Sequence, residues 1–507
     1  MRRHLFFALW LVGLVAAQGA WAGTLPMENQ PWVRVDGSGV VVLSNDRPDR
    51  ASALAQDLEA LRRAVGTVTT LDPTPPVPTW IYLFATDRSM IPYKHRYQGE
   101  PASISGAFYS RPYGDYILVN GAKRNEARLT VYHEYMHAVL RSNLPGLPLW
   151  LEEGLAELFS TFEKVDGGYR IGRPLRRHLH ELSKGEPLPL VELLRIDVTS
   201  PRYHEFEQQG ELYARSWELV HYLMLGNAER RGQMLALLRA DLSGEARDKA
   251  FSVAFGDGFA ALEKELAEYR KQGFAPRKVE LEPVQADAFK LRSVAYGQIL
   301  VHLGDLLVAQ GDRERDAIFH FDEALRRRPD HGGAVAGLGL VAEEARDYAK
   351  ARALFRKAVE AAPGDGRLHY HYGASLLVLG RGAAASKVEE ARDHLRTCLK
   401  LQPSFAPAWA RLRESLALGT DKPALPLPDD ADEVLRLMLL HARSGERRAA
   451  HRLFDDFFKS RPEDTAKRSA RHILTGVDWS AADGSASGFD LMRAGAVAPV
   501  AEAEAPR

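Results

Sequence analysis

The spacing of hydrophobic positions changes several times along the chain, and each change marks an element. The short apolar runs "WVRV" and "GVVVLSN", parted by a turn at residues 36–39, predict two strands. Leu54, Leu58, Leu61 and Val65 then recur at helical spacing. The proline-rich "DPTPPVP" ends that helix, and "TWIYLFAT" reads as a buried strand. In "SGAFYSRPYGDYILVNG" two apolar arms flank residues 111–115, the pattern of a hairpin. Residues 125–140 return to helical spacing. Pro145, Gly146 and Pro148 interrupt it, and another helix follows.

From residue 291 the pattern becomes wholly helical and repeats itself. Leu338, Gly339, Ala351, Phe355, Ala358 and Pro363 carry the spacing of a tetratricopeptide repeat. Leu303, Gly304, Ala317, Phe321, Ala324 and Pro329 give a preceding copy, and Tyr372, Gly373, Ala391, Leu395, Cys398 and Pro403 a following one. Weaker units begin at Ala406 and at Ala431. Each helix pair has an apolar face that only a neighbouring pair can cover, so three or more such units make a stable stack. Cys398 occupies the slot held by Ala324 and Ala358, which makes it a buried small residue and not a nucleophile.

The fold class expected is therefore an α+β domain, a small sheet with helices, followed by an all-α repeat solenoid. The boundaries fall at 23–272 for the first domain, 273–290 for a polar linker, 291–465 for the repeats and 466–507 for a largely disordered tail. Residues 1–22 read as a cleaved secretory signal. Arg2 and Arg3 precede a short apolar run at 5–17, and "AWA" ends at Ala22. Export follows, with no stable membrane span after cleavage. Lysine plus arginine equals aspartate plus glutamate at 67 each, so there is no basic excess of the kind nucleic acid requires. The single cysteine excludes an internal disulfide.

One stretch carries chemistry: "YHEYMHAVLRSNLPGLPLWLEEGLAE", residues 132–157. His133 and His137 are four apart on a predicted helix, so both imidazoles share a face and can bind one zinc ion. Glu134, one step round, can reach a metal-activated water and take its proton. A third ligand must come from elsewhere, and the next helix offers Glu152, Glu153 and Glu157. The last two share a face, while Glu152 points about 100° away from Glu153. Such a pair can serve as one ligand and one outer acceptor that fixes a histidine tautomer.

Here the chain resembles the gluzincin zinc metallopeptidases, in particular the peptidase MA-like domains of bacterial exported proteins. "HEYMH" followed after fifteen residues by the second glutamate of "WLEEGLAE" carries the resemblance. It implies one zinc per chain held by His133, His137 and Glu153, with Glu157 behind them and Glu134 as general base. It also implies that Tyr213, in "ELYARSWELVHYL", steadies the oxyanion. Tyr109 and Tyr113 in the hairpin are weaker rivals for that role. The expected activity is hydrolysis of peptide bonds in a peptide or protein substrate, with the repeats holding substrate or a partner protein. The expected compartment is a periplasm, with the extracellular space as the other destination. A different reading is a catalytically silent zinc-site protein acting as a repeat scaffold in the cell envelope. The basic run "RPLRRHLHELSK" reads as a solvated helix face, and His178 and His180, two apart, receive no role.

Overall fold

In the computed structural model, most of residues 24–416 are described, apart from 235–254 and short gaps at 38, 70, 72–75, 98, 144–146, 199, 205, 256–257, 379–384 and 404. Beyond 416 only scattered positions are described, so the signal at 1–22, most of the unit at 431–462 and most of the tail at 466–507 lie outside the described residues.

Six strands form the main sheet: β1 (Trp32–Asp36), β2 (Val40–Ser44), β3 (Thr79–Phe84), β4 (Gly106–Arg111), β5 (Gly114–Asn120) and β9 (Lys290–Val294). Their order is β9-β1-β2-β3-β5-β4, with β2, β3 and β5 parallel and the other pairings antiparallel. The expected hairpin is β4–β5, closed where Arg111 pairs with Gly114. That leaves β4 as an edge strand. Helix α1 (Pro48–Val68) buries Leu54, Leu58, Leu61 and Val65, as their spacing predicts. Helices α2 (Arg124–Asn143) and α3 (Leu149–Ser160) follow the hairpin. A small second sheet contains β6 (Glu163–Val165), β7 (Gly168–Ile171) and β8 (Arg277–Val279). Helices α4 (Arg176–Leu182), α5 (Phe206–His221) and α6 (Gly258–Gln272) complete the first region.

The apolar run of β2 and β3 is explained by burial on both sides of the sheet. Val33, Val35, Val42, Ile81, Leu83, Ile117 and Val119 point to one side and join the core formed with α1, α2 and α3. Their strand neighbours Trp32, Leu43, Tyr82, Phe84, Tyr116 and Leu118 point to the other side. There they pack on α7 (Tyr296–Gln310), the first repeat helix, through a cluster that includes Ile299, Leu303 and Leu307. The two halves thus share one sheet. The polar stretch 273–290, expected to be a linker, instead contributes β8 and begins β9, which seals the sheet edge beside β1. Its polar composition reflects strands with one exposed side: β9 is exposed along most of its length.

The repeats run as α7 with α8 (Glu314–Arg327), α9 (Gly332–Glu344) with α10 (Tyr348–Ala361), and α11 (Gly366–Leu377) with α12 (Ala385–Leu401). Helix α13 (Ala406–Leu416) starts the next unit. The repeated small residue meets the repeated large one in each copy. A Cβ on Gly304 would lie 2.4 Å from Phe321, and one on Gly339 would lie 2.6 Å from Phe355. In the third copy Leu395 lies 3.0 Å from the corresponding position on Gly373. Cys398 is fully buried, and burial pushes its thiol up to about 12, which leaves it unreactive.

Candidate metal centre

Helix α2 carries His133 and His137 on one face, and α3 crosses it with Glu153 turned inward. On its other side α3 packs closely on α5, which depends on Gly154, where a Cβ would lie 2.4 Å from Val220 Cγ2 and 2.6 Å from the Ser216 carbonyl oxygen. Any larger residue would push α3 away from α5 and carry Glu153 with it.

Three atoms converge. His133 Nε2 and His137 Nε2 are 3.1 Å apart, and Glu153 Oε2 lies 3.2 Å from the first and 3.6 Å from the second. Four ligands placed tetrahedrally at zinc bond lengths stand about 3.3–3.4 Å from one another, so this triangle is close to one face of such a tetrahedron. Glu153 is buried, and its Oε2 has no hydrogen-bond partner among the described residues. A buried acceptor left in that state is costly unless a cation meets it. Among the described residues, His133, His137 and Glu153 are the one His/Cys/Asp/Glu group so arranged that it could hold a metal ion.

Outside the triangle, each histidine has a carboxylate at its second nitrogen. His137 Nδ1 is 3.0 Å from Glu152 Oε1, and Arg141 Nε grips the same oxygen at 3.1 Å. His133 Nδ1 is 3.5 Å from Glu157 Oε1. Glu157 is therefore behind His133 as expected, but the tight outer contact belongs to Glu152, which the helical wheel turns away from Glu153. At His137 the rotation suits the ring: Nε2 and Nδ1 lie on different edges of the imidazole, and Glu152, turned off the Glu153 face, meets Nδ1 while Glu153 meets Nε2.

Electrostatics follow from this crowding of carboxylates. Burial alone would lower the His133 pKa, but Glu153, Glu157 and Glu134 outweigh it and raise it to about 9. Burial would likewise raise Glu152, yet His137 and Arg141 pull it down to about 2. Burial also acts against ionised Glu157, but His178, His133 and Arg177 hold it below the ordinary carboxylate range. Glu134 is raised, chiefly by burial. Carboxylates thus stand around the two histidines on several sides.

A cleft of about 780 Å³ opens beside His133, lined also by Glu134, Glu157, Tyr213, Thr130 and Gly106 among others. Tyr213 stands edge-on to His133 with ring centres 6.1 Å apart. Tyr203, in the helical turn Pro201–His204, points its hydroxyl at Glu153 Oε1 from 3.5 Å. Its rank as a second tyrosine at the site was not legible, because the loop before α5 has no periodic pattern. Tyr109 hydrogen-bonds His95 Nδ1 at 3.3 Å, and Tyr113 packs against His371 of the repeats, so neither is at the triangle. Phe108 of β4 stacks on His137 at 6.3 Å, and the Arg141 guanidinium lies over the Phe108 ring, 5.2 Å from its centre.

The basic run resolves into specific pairs. Arg177 donates to both oxygens of Glu157 at 2.9 and 2.7 Å, and buried His178 brings Nε2 within 3.3 Å of the same carboxylate. Arg173 pairs with Glu163, and Lys184 with Glu181. Arg177 and His178 thus support the outer side of the centre. Their signal in the sequence was weak because α4 is distant in the chain from the histidines it serves.

Residues 302–366 match the family profile of the tetratricopeptide repeat. No curated protein matches the chain. Among solved structures, that of YrrB, described as a TPR protein with an unusual peptide-binding site, is similar. It is 22% identical, covers 34% of this chain and 90% of its own, and has a TM-score of 0.20. The C-terminal helical region carries tetratricopeptide repeats, modules of a protein-binding or scaffolding kind, beside a mixed sheet and its helices.

Proposed function

We propose that this chain is an exported zinc-dependent peptidase. The observation that carries the reading is the triangle of His133 Nε2, His137 Nε2 and Glu153 Oε2, whose edges match those of a tetrahedral zinc site and whose His133 lines the cleft. Zinc held there would supply Lewis acidity, polarising a peptide carbonyl and a water molecule. Glu134, adjacent to the triangle and raised by burial, holds and passes on the proton that such a water loses. Tyr213, on the cleft wall, donates its hydroxyl to the oxygen on which charge develops. Glu152 keeps the His137 imidazole aimed with Nε2 inward, and Glu157 stands 3.5 Å from His133 Nδ1. Edge strand β4, beside the cleft, offers backbone to an extended substrate. Export rests on the signal pattern of residues 1–22, and a periplasm as the destination rests on the resemblance to the peptidase MA-like domains.

The test is elemental analysis of the purified chain with peptide-library cleavage alongside. The expected result is about one zinc per chain, lost in Glu153→Ala, with cleavage reduced by roughly 10²–10⁴ in Glu134→Gln while zinc stays bound. A zinc-free protein after reconstitution would sink the proposal. A second reading, a silent zinc-site scaffold, is favoured by the tetratricopeptide match at 302–366. It predicts bound zinc and no difference between the chain and Glu134→Gln.

A further inference from the structure

Arrays of this kind present the first helix of each repeat on an inner face, and extended segments bind there. Here α7, α9 and α11 pack side by side in that way, and the chain's own sheet sits against them. Arg111, at the tip of the β4–β5 hairpin, donates Nη2 to the Val308 carbonyl at 2.8 Å and Nε to the Ala309 carbonyl at 3.1 Å. Both carbonyls belong to the last turn of α7, where the ordinary helical donors run out; Val308 also accepts the Gly311 N–H at 3.1 Å. A guanidinium there also answers the negative end of the helix dipole. Its Nη1 reaches Glu344, the last residue of α9, at 3.1 Å. Two residues further round the turn, Tyr113 meets His371 of α11 edge-on, with ring centres 4.8 Å apart. A single hairpin tip therefore touches the first helices of three consecutive repeats. Behind it, a buried Asp305–Arg367 pair at 2.8 Å ties α7 to α11.

Further bonds fasten the same two bodies. Tyr82 donates to the His302 carbonyl at 2.8 Å, Gln310 to the Tyr93 carbonyl at 2.6 Å, and Arg313 to the carbonyls of Lys94 and Pro92 at 2.6 and 2.8 Å. The other end of the hairpin faces the metal centre. Gly106 begins β4 and lines the cleft, and Phe108 stacks on His137.

We propose that the repeat array is an internal clamp, whose inner face binds this chain's own β4–β5 hairpin and so sets the wall of the cleft, with Arg111 as the positioning residue. An outside peptide seated on that face would have to displace the hairpin, so its binding would loosen the cleft wall. The clamp stands on the fold alone; its effect on hydrolysis rests on the peptidase reading.

The experiment is hydrogen–deuterium exchange on the full chain, which needs neither metal nor substrate and so is decided separately from catalysis. In Arg111→Ala, amides across residues 106–120 should exchange about tenfold faster, with α1 unchanged. Glu344→Ala, which leaves both carbonyl contacts, should give about a twofold rise in the same segment. Unchanged exchange at 106–120 in Arg111→Ala overturns the proposal, and so does a rise spread evenly over α1. If that variant does not fold, Arg111→Lys decides by the same two criteria. Under the peptidase reading, Arg111→Ala also raises KM with zinc content unchanged, and Arg111→Lys restores part of the loss.

Discussion

The cleft and the repeat array both bury histidines, and His133 of the cleft is shifted in the opposite direction from His302, His320 and His371 of the repeats. His133 sits among Glu153, Glu157 and Glu134, and these carboxylates raise it to about 9 against the pull of burial. In the repeats, burial dominates. His320 is lowered to about 4, and His371, with Arg367 nearby, to about 3; His302 falls well below its ordinary value for the same two reasons. Burial is common to both regions, so burial does not distinguish a site from a core. What differs is the uncompensated partner. The repeat histidines are neutral packing groups, as in the stack of His371 on Phe355 at 5.4 Å. The cleft histidines face a carboxylate oxygen that has no other partner.

The comparison can be broken hardest from the repeat side. Phe355→Ala removes the ring that fills the space above Gly339 and should cost about 3–5 kcal/mol in chemical denaturation. Because the sheet is shared with α7, the loss should reach the first region as a lower unfolding midpoint there too. Two separate transitions with an unmoved first one would show instead that the halves are independent.

Next in size is the outer carboxylate of His137. Glu152→Gln keeps an acceptor at Nδ1 but removes the charge that Arg141 and His137 share, and zinc affinity should fall about 10–100-fold in a chelator competition. An unchanged affinity would return the outer role to Glu157 alone.

The third effect is graded by pH, and each single unit of pH moves it by no more than the substitutions do. A zinc ion must displace the proton on His133, so apparent affinity should rise about tenfold for each unit between pH 7 and 9 and level off above. In metal-free protein the stability terms run in opposite directions. His133, raised on folding, stabilises fully below about pH 6.5 and loses that contribution as pH climbs through about 9. His320 and His371, lowered on folding, contribute fully above about pH 6.5 and lose it as pH falls toward about 4 and about 3 respectively. Melting of the metal-free chain across this range should therefore show a maximum, and adding zinc should remove its alkaline limb only.

Much of this was legible where a local period sufficed. His133 and His137 at i and i+4, the buried stripe of α1, and the Gly–Phe alternation of the repeats are all set within one or two turns of backbone. Glu153 was reachable because α3 follows α2 after a short loop. The roles of Glu152, Arg177, His178, Tyr203 and Arg111 were hidden for one reason: each depends on which edge of a distant side chain it meets. The strands in 273–290 were missed because polar, half-exposed edge strands carry little alternation.

By itself, then, the sequence determined the elements, the helical face that carries two imidazoles, and the repeat stack, since backbone geometry converts spacing directly into facing. Only the tertiary structure decided that the sheet would be covered on one side by repeat helices, and that Glu152 would hold His137. It alone brought the tip of one hairpin against three repeats. Contacts between segments hundreds of residues apart depend on crossing angles and packing depth, and a single chain of letters does not state them.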